Sequence, residues 1–512
     1  MLSATDIEAL VIEPIMVIEI PDFRSAVWPR FLFTSGRQLR ASIIRCCSIL
    51  PLIVLVAALP SEAMAAAGLD GAKLGLAWGL PFVGILLSIA LFPLLAPHVW
   101  EHHHGKIAAL WAVFVAVPMA LFLGLTETVH ALAHTALLEY IPFILLLLAL
   151  FTVASGIVVS GNLHGAPVTN TVLLGIGTLL ASVIGTTGAS MVMIRPVLRA
   201  NDDRKHNVHI VVFFIFLVSN IGGSLTPLGD PPLFLGFLRG VDFFWTTQHL
   251  LSETLLTAGI VLAVFFVMDT VIYKREGHIP RDPTPDQPVR VNGGINFLLG
   301  AVVIGAILLS ARLKLGSFQV FGTEVAIQNL LRDATMIVVT LVSLAITPKA
   351  NHEANGFSWT PIAEVAALFA GIFITIIPVL AMLRAGSSGA FAPLIATVTN
   401  ADGTANVAAY FWMTGALSSF LDNAPTYLVF FEMAGGDAKW LMREGALTLT
   451  AISAGAVFMG ANTYIGNAPN FMVYAIARQQ GVAMPSFFGY MLWSGAVLLP
   501  VFALVTLVFF RA

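Results

Sequence analysis

SNIGGSLTPLGDPP, residues 219–232, interrupts a segment otherwise apolar enough for a membrane. Residues 210–218 before it are a run of Val, Phe, Ile and Leu, and residues 233–238 after it are again mostly apolar. Between them lie three glycines, three prolines, two serines, an asparagine, a threonine and one carboxylate, Asp230. A helix does not run straight through this stretch, because proline lacks the N–H donor and clashes with the preceding turn. Broken backbone at membrane depth survives only where protein buries it or where it lines a cavity. A broken, polar, acid-bearing segment of this kind reads as a binding site.

The composition sets the surroundings. Of 512 residues, 58% are hydrophobic and only 10% charged, against about 25% charged in a soluble domain. With a mean hydropathy of +0.90, the chain reads as an all-α polytopic membrane protein embedded in a lipid bilayer. A net charge of −3 and the lack of a basic tract give no sign of a nucleic-acid partner, and no cofactor motif or soluble catalytic region suggests an enzyme. Cys46 and Cys47 are adjacent and build no disulfide framework. Arg37, Arg40 and Arg45 precede an apolar run, 49–59, and then Ala63, Met64 and Ala65. That order predicts a signal peptide cleaved near Ala65; the alternative is an ordinary first membrane helix.

Apolar runs of near-spanning length fall at 74–95, 107–125, 138–159, 208–238 (broken), 251–273, 295–313, 334–346, 362–383, 447–476 (broken) and 487–510. Two further pieces, 168–198 and 407–433, are polar in the middle, with GTTGAS at 185–190 and LDNAPT at 421–426. Each reads as a re-entrant hairpin with a buried tip. Hairpin followed by broken helix occurs twice, which predicts two internal repeats. The expected organisation is an N-terminal extension and signal peptide at 1–65, a first repeat at 66–273, a linker at 274–294 and a second repeat at 295–512.

Basic residues set the orientation. Arg195, Arg199, Arg204 and Lys205 follow the first tip, and Lys274, Arg275, Arg281 and Arg290 lie in the linker. Both regions are expected in the cytoplasm. Counting spans then puts the loop 435–444 and Asp70 outside, so the two hairpins enter from opposite sides and the repeats are inverted.

In that arrangement tips and breaks meet near the midplane. The set comprises Thr186, Thr187 and Ser190; Ser219, Asn220, Thr226 and Asp230; Asp422, Asn423 and Thr426; and Asn462, Thr463, Asn467 and Asn470. Neutral oxygens dominate it, with two carboxylates and no base, which suits a hard cation. A carboxyl group withdrawn from water holds a proton more readily, so a proton and a cation compete for it. Asp422 sits at a hairpin tip and is expected to bind cation and proton. Asp230 either assists it or caps a helix opening at Pro231 and Pro232. Asn220, Asn423, Thr426 and Asn462 are the expected oxygen ligands.

Other polar residues read as secondary. His98 and His102–His104 suggest a metal, but consecutive helical residues diverge, and a cytoplasmic turn is the expectation, with no metal beyond the transported ion. His130 and His134 are expected outside the membrane beside Glu127, Glu364 near a cytoplasmic helix end, and Arg195 at the foot of the first hairpin.

NIGGSLTPLGDPP at 220–232 with FLDNAPT at 420–426 resembles the ion transporter superfamily, most of all its D-type sodium/proton antiporters and the related citrate-transport family. The likeness runs from about residue 74 to the C-terminus. It implies an inverted-repeat fold, a scaffold beside mobile transport domains, elevator-type movement and a homodimer. Carboxylate carriers of the superfamily show Ser-Asn-Thr at both tips, where this chain has Gly185-Thr186-Thr187 and Asp422-Asn423-Ala424. An acid at the second tip repels a carboxylate that no cation neutralises. The reading is therefore a multi-pass transporter of the bacterial inner membrane exchanging Na⁺ (or Li⁺) for H⁺. The alternative is a Na⁺-coupled symporter of citrate or another carboxylate, with Thr186–Ser190 and Asn467–Asn470 on the anion.

Overall fold

A computed structural model describes residues 69–161, 163–277 and 288–511. The expected signal segment lies outside the described residues, as do residues 278–287 of the linker. The helices are α1 (Leu80–Leu95), α2 (Pro97–Phe122), α3 (Leu125–Thr135), α4 (Ile141–Ser155), α5 (Pro167–Ile184), α6 (Thr186–Ala200), α7 (Val208–Leu217), α8 (Pro231–Leu238) and α9 (Trp245–Glu276) in the first part. The second part holds α10 (Ile295–Arg312), α11 (Ile327–Ile346), α12 (Lys349–Ala354), α13 (Thr360–Thr375), α14 (Ile377–Arg384) and α15 (Ala392–Ala396). It continues with α16 (Val407–Ser418), α17 (Asn423–Met433), α18 (Ala438–Leu441), α19 (Ala446–Met459), α20 (Ala468–Gln479) and α21 (Phe487–Phe509). Two small antiparallel ribbons complete the described residues: β1 (Val158–Ser160) with β2 (Arg290–Asn292), and β3 (Ser317–Val320) with β4 (Thr323–Ala326).

Among the described residues nine helices are long and apolar enough to cross a membrane, or ten if α13 and α14, bent by 40°, count as one span. The protein is an all-α polytopic membrane protein. Leu179, Leu255, Val267, Leu298, Leu341 and Leu492 are among the large apolar side chains left exposed, the surface a lipid-facing protein presents. The span Val208–Leu225 is the exception: 89% of its apolar window is buried within the protein, against 22% for α9. The segment whose backbone breaks is the one kept from lipid, as its unpaired carbonyls and amides require.

The breaks share one geometry. α7 passes into a 3₁₀ turn, Ile221–Leu225, then Thr226 is extended (φ −140°, ψ 159°) and Asp230 (φ −134°, ψ 143°) opens α8. α19 passes into the 3₁₀ turn Gly460–Asn462, then Thr463 (φ −135°, ψ 160°) and Asn467 (φ −149°, ψ 142°) open α20. Proline follows within two residues in both cases, where its fixed φ suits a helix start. Glycine is required by closeness: a Cβ at Gly229 would strike the carbonyl of Gly223, and one at Gly466 that of Gly460.

The helices pack in two sets that also touch each other, α4 on α6 and α14 on α17. In one, α2 packs on α1 and α13, and α4 on α10 and α11. In the other, the hairpins α5–α6 and α16–α17 pack around the breaks, with α9, α19 and α21 against them. α9 measures the relation of the hairpins. At its C-terminal end Glu276 accepts from Arg204 Nε at 2.6 Å, just past the first hairpin, whose foot is closed by an Asn170–Asn201 bond of 2.9 Å. At its N-terminal end Trp245 Nε1 donates to the carbonyl of Met442, past the second hairpin. The helix has 32 residues, about 48 Å at 1.5 Å per residue. The hairpin feet therefore stand at opposite ends of it.

Each foot carries charge. Beside the first, Arg204 and Asp269 pair at 2.9 Å with no side-chain exposure, and Asp269 also accepts from His209 and Asn170. Beside the second, Glu432 accepts from Arg239 and, at 2.8 and 2.9 Å, from Arg384, while Arg239 also reaches Glu139 at 2.9 Å. That second network joins α8 and α17 to the π-helical turn Ala136–Tyr140 and to α14.

Three expected segments are longer than their apolar runs. α2 starts at Pro97, placing His98–His104 in its first turns instead of a loop. α3 continues through the π turn into α4, so Glu127, His130 and His134 ride on the first turns of a 31-residue helix. α11 starts seven residues early. Glu, His, Lys and Gln are tolerated in helix interiors, so a helix continues past the point where apolarity ends.

Candidate functional site

The site hangs on two serines. Ser182 Oγ donates to the Gly222 carbonyl at 2.5 Å and accepts from Leu225 N–H at 3.1 Å, while its carbonyl accepts from Thr226 Oγ1 at 2.5 Å. In the second half Ser419 Oγ donates to the Met459 carbonyl at 3.1 Å and accepts from Asn462 Nδ2 at 2.9 Å, and its carbonyl accepts from Thr463 Oγ1 at 2.5 Å. Each of these residues lies 237 positions after its counterpart, the separation that also relates Asp230 to Asn467. Both serines sit three residues before a hairpin tip and clamp the tip to its break.

Asp230 occupies the meeting point. It stands at the N-cap of α8 but makes no capping bond. Its Oδ1 accepts from Thr186 Oγ1 at 3.0 Å and Asn467 Nδ2 at 3.1 Å, and its Oδ2 from Asn423 Nδ2 at 2.7 Å. One fully buried carboxylate thus joins the first tip, the second tip and the second break. Of the two roles open to it in the sequence, the structure shows the side chain facing the tips. Asp422 does the capping: its Oδ1 accepts from Ala424 N–H at 3.0 Å, and Thr426 Oγ1 donates to its carbonyl.

Amides extend the cluster. Asn220 Nδ2 donates to Asn470 Oδ1 at 2.7 Å and to the Ile215 carbonyl, and its Oδ1 accepts from Asn467 at 3.3 Å. Asn470 Nδ2 donates to the carbonyls of Gly460 and Thr463, and Asn467 to that of Ser219. Ser190 and Ser219 share a hydrogen bond of 2.8 Å. Asn423 Oδ1 accepts from Ser418 Oγ at 2.6 Å. The structure therefore gathers Asp230, Thr186, Asn423, Asn467, Asn220, Asn470, Ser219 and Ser190. Thr226, Thr463 and Asn462 are spent on the serine clamps and Thr426 on the helix cap, although Asn462 Oδ1 is buried without a partner.

A cavity of about 90 Å³ opens against this cluster, lined by Thr186, Thr187, Asp422 and Asn467 on one side and by apolar residues of α4 and α13, among them Phe143 and Phe369, on the other. Among the described residues no basic one lines it. A dehydrated monovalent cation fits there.

Residues singled out elsewhere have local duties. Glu364 Oε1 accepts from Trp100 Nε1 at 3.2 Å. Arg195 is half-buried on α6 with its Nη1 lacking a partner. Sequence reasoning missed Ser182, Ser418 and Ser419; the signal was a serine at equal distance before both tips. It also missed Glu253, a buried acid in α9 that accepts from Ser252 Oγ, next to Thr254, whose hydroxyl bonds Ser224 in the break. An acid inside a long apolar helix was its signal.

Residues 71–510 match the family described as "Putative citrate transport". The chain is also similar to an "uncharacterized transporter" of Mycobacterium tuberculosis, 23% identical over 403 residues that cover 77% of this chain and 84% of the relative. A Mycobacterium bovis protein with the same description matches to the same extent.

Proposed function

The chain belongs to this citrate-transport family, a family of membrane transporters and not of enzymes, and within it we propose that the protein exchanges Na⁺ for H⁺ across the bacterial inner membrane. The observation that carries the reading is Asp230, a buried carboxylate held by three neutral side chains from three different elements, with no basic residue among the described ones lining the adjoining cavity. A lone buried carboxylate needs a counter-charge, since an uncompensated charge in low dielectric is costly. A proton or a Na⁺ ion supplies it, and the two exclude each other. The amide and hydroxyl oxygens of Asn423, Asn467 and Thr186 rotate to complete a cation shell, and Asp422, lining the same cavity, draws the ion in. Alternate occupancy by proton and cation then couples their opposite movements.

A second reading, Na⁺-coupled uptake of citrate or another carboxylate, is favoured by the family's description and by Arg195, whose unpartnered Nη1 offers an anion a charge-assisted donor. The test uses purified protein in liposomes holding a pH gradient, challenged with Na⁺, Li⁺, K⁺ and citrate. Na⁺ or Li⁺ should dissipate the gradient. A gradient indifferent to every cation sinks the exchange reading, and labelled citrate accumulating only with inward Na⁺ puts the second reading in its place.

A further inference from the structure

The first turns of α2 place three metal-ligating side chains on one face. His98 and His102 are one helical turn apart, with ring centroids 4.6 Å from each other. Glu101 joins them, and one ligand atom from each lies within 4.8 Å of the others. His102 Nδ1 donates to the His98 carbonyl at 2.9 Å, which fixes the ring and leaves Nε2 as a free lone pair. His104 is differently engaged, its Nδ1 turned to the Trp100 carbonyl. The divergence expected of consecutive histidines holds for residues 102–104; it does not apply to positions 98, 101 and 102.

We propose that His98, Glu101 and His102 bind a divalent first-row transition metal. Two imidazoles and one carboxylate leave the fourth tetrahedral position to water, the pattern of an open zinc-type site. All three side chains are exposed, so small rotations bring the ligand atoms to the 2.0–2.2 Å such a metal requires. The N-terminal end of a helix disfavours a cation, and the charge of Glu101 offsets this. The site stands apart from Asp230 and does not depend on what the transporter carries.

The test uses the full-length protein in detergent, free of any histidine tag and stripped by a chelator. Co²⁺ is titrated while its visible absorption is followed, and Zn²⁺ is then added to displace it. One equivalent should bind saturably. His98→Ala with His102→Ala should weaken that binding at least tenfold, Glu101→Gln should weaken it less, and His103→Ala should leave it unchanged. Thermal unfolding of each variant without metal identifies any that fail to fold, and Glu101→Gln, which leaves both rings in place, then carries the decision. No saturable binding, or binding equal in the wild type and in every folded variant of the triad, overturns the proposal.

Discussion

The first half of the molecule carries its acid in the break, Asp230, and a glycine, Gly185, at its hairpin tip. The second half carries its acid at the tip, Asp422, and an amide, Asn467, in the break. The frame beneath is the same in both: a serine three residues before the tip, a threonine anchored on its carbonyl, and a pair of glycines in contact across the break. What differs is where charge has been placed on that frame. The carboxylate in the break points at the tips, whereas the carboxylate at the tip is turned toward its own helix and a cavity. An approximately symmetric cage thus holds one deep carboxylate and one shallow one.

Erasing the deep acid should have the largest effect. Asp230→Asn makes the two breaks alike, and Na⁺-driven proton movement in proteoliposomes should fall about a hundredfold, the equivalent of about 3 kcal/mol. Because Asn467 already touches Asp230, adding Asn467→Asp returns a carboxylate to the same point. That double variant should recover about tenfold of the loss, about 1.4 kcal/mol. Failure to recover would mean that the half in which the acid sits matters as much as its place between the tips.

The shallow acid should matter less, and its two duties can be separated. Asp422→Asn keeps an oxygen able to cap α17 and removes the charge, so exchange should drop about tenfold with little change in unfolding temperature. Asp422→Ala should in addition cost about 1 kcal/mol of stability through the lost cap. If the two variants transport equally well as the wild type, Asp422 is a cap and no more.

The shared frame should respond symmetrically and most modestly. Gly229→Ala and Gly466→Ala each force a methyl group onto a facing carbonyl and should each destabilise by about 1–3 kcal/mol, the usual range for overpacking. Thermal unfolding in detergent reads both, and a large inequality would show that one half bears more of the fold than the other.

Much of this was legible in the sequence, for identifiable reasons. Gly, Pro and Asn inside apolar runs leave few conformations open, so the breaks at 219–232 and 460–470 and the tips at 185–190 and 421–426 stand where those residues put them. Which carboxylate faces inward was not legible. An N-cap position is compatible with a side chain folded back on its helix or turned away, and only Thr186, Asn423 and Asn467, brought from three other elements, decide it for Asp230. The duties of Thr226, Thr463 and Asn462 escaped for the same reason, since their partners lie about forty residues back on the hairpins. The extents of α2 and α3 escaped because apolarity marks what lipid covers, not where hydrogen bonding stops.

The charged network at the foot of the second hairpin has a kinetic consequence. Glu139 lies in the π turn before α4 and Arg384 ends α14, whereas Arg239 follows α8 and Glu432 lies in α17. Any sliding of α8 and α17 past the π turn and α14 must part Arg239 from Glu139 and Arg384 from Glu432. The near-complete burial of Glu432 makes its separation costly, because a desolvated carboxylate would lose its partner. Arg384, with 58% of its side chain exposed, is the member that dissolved salt reaches. The network is then a friction brake with one wet pad: turnover should quicken as ionic strength rises, while affinity for the transported ion, set at Asp230, need not change.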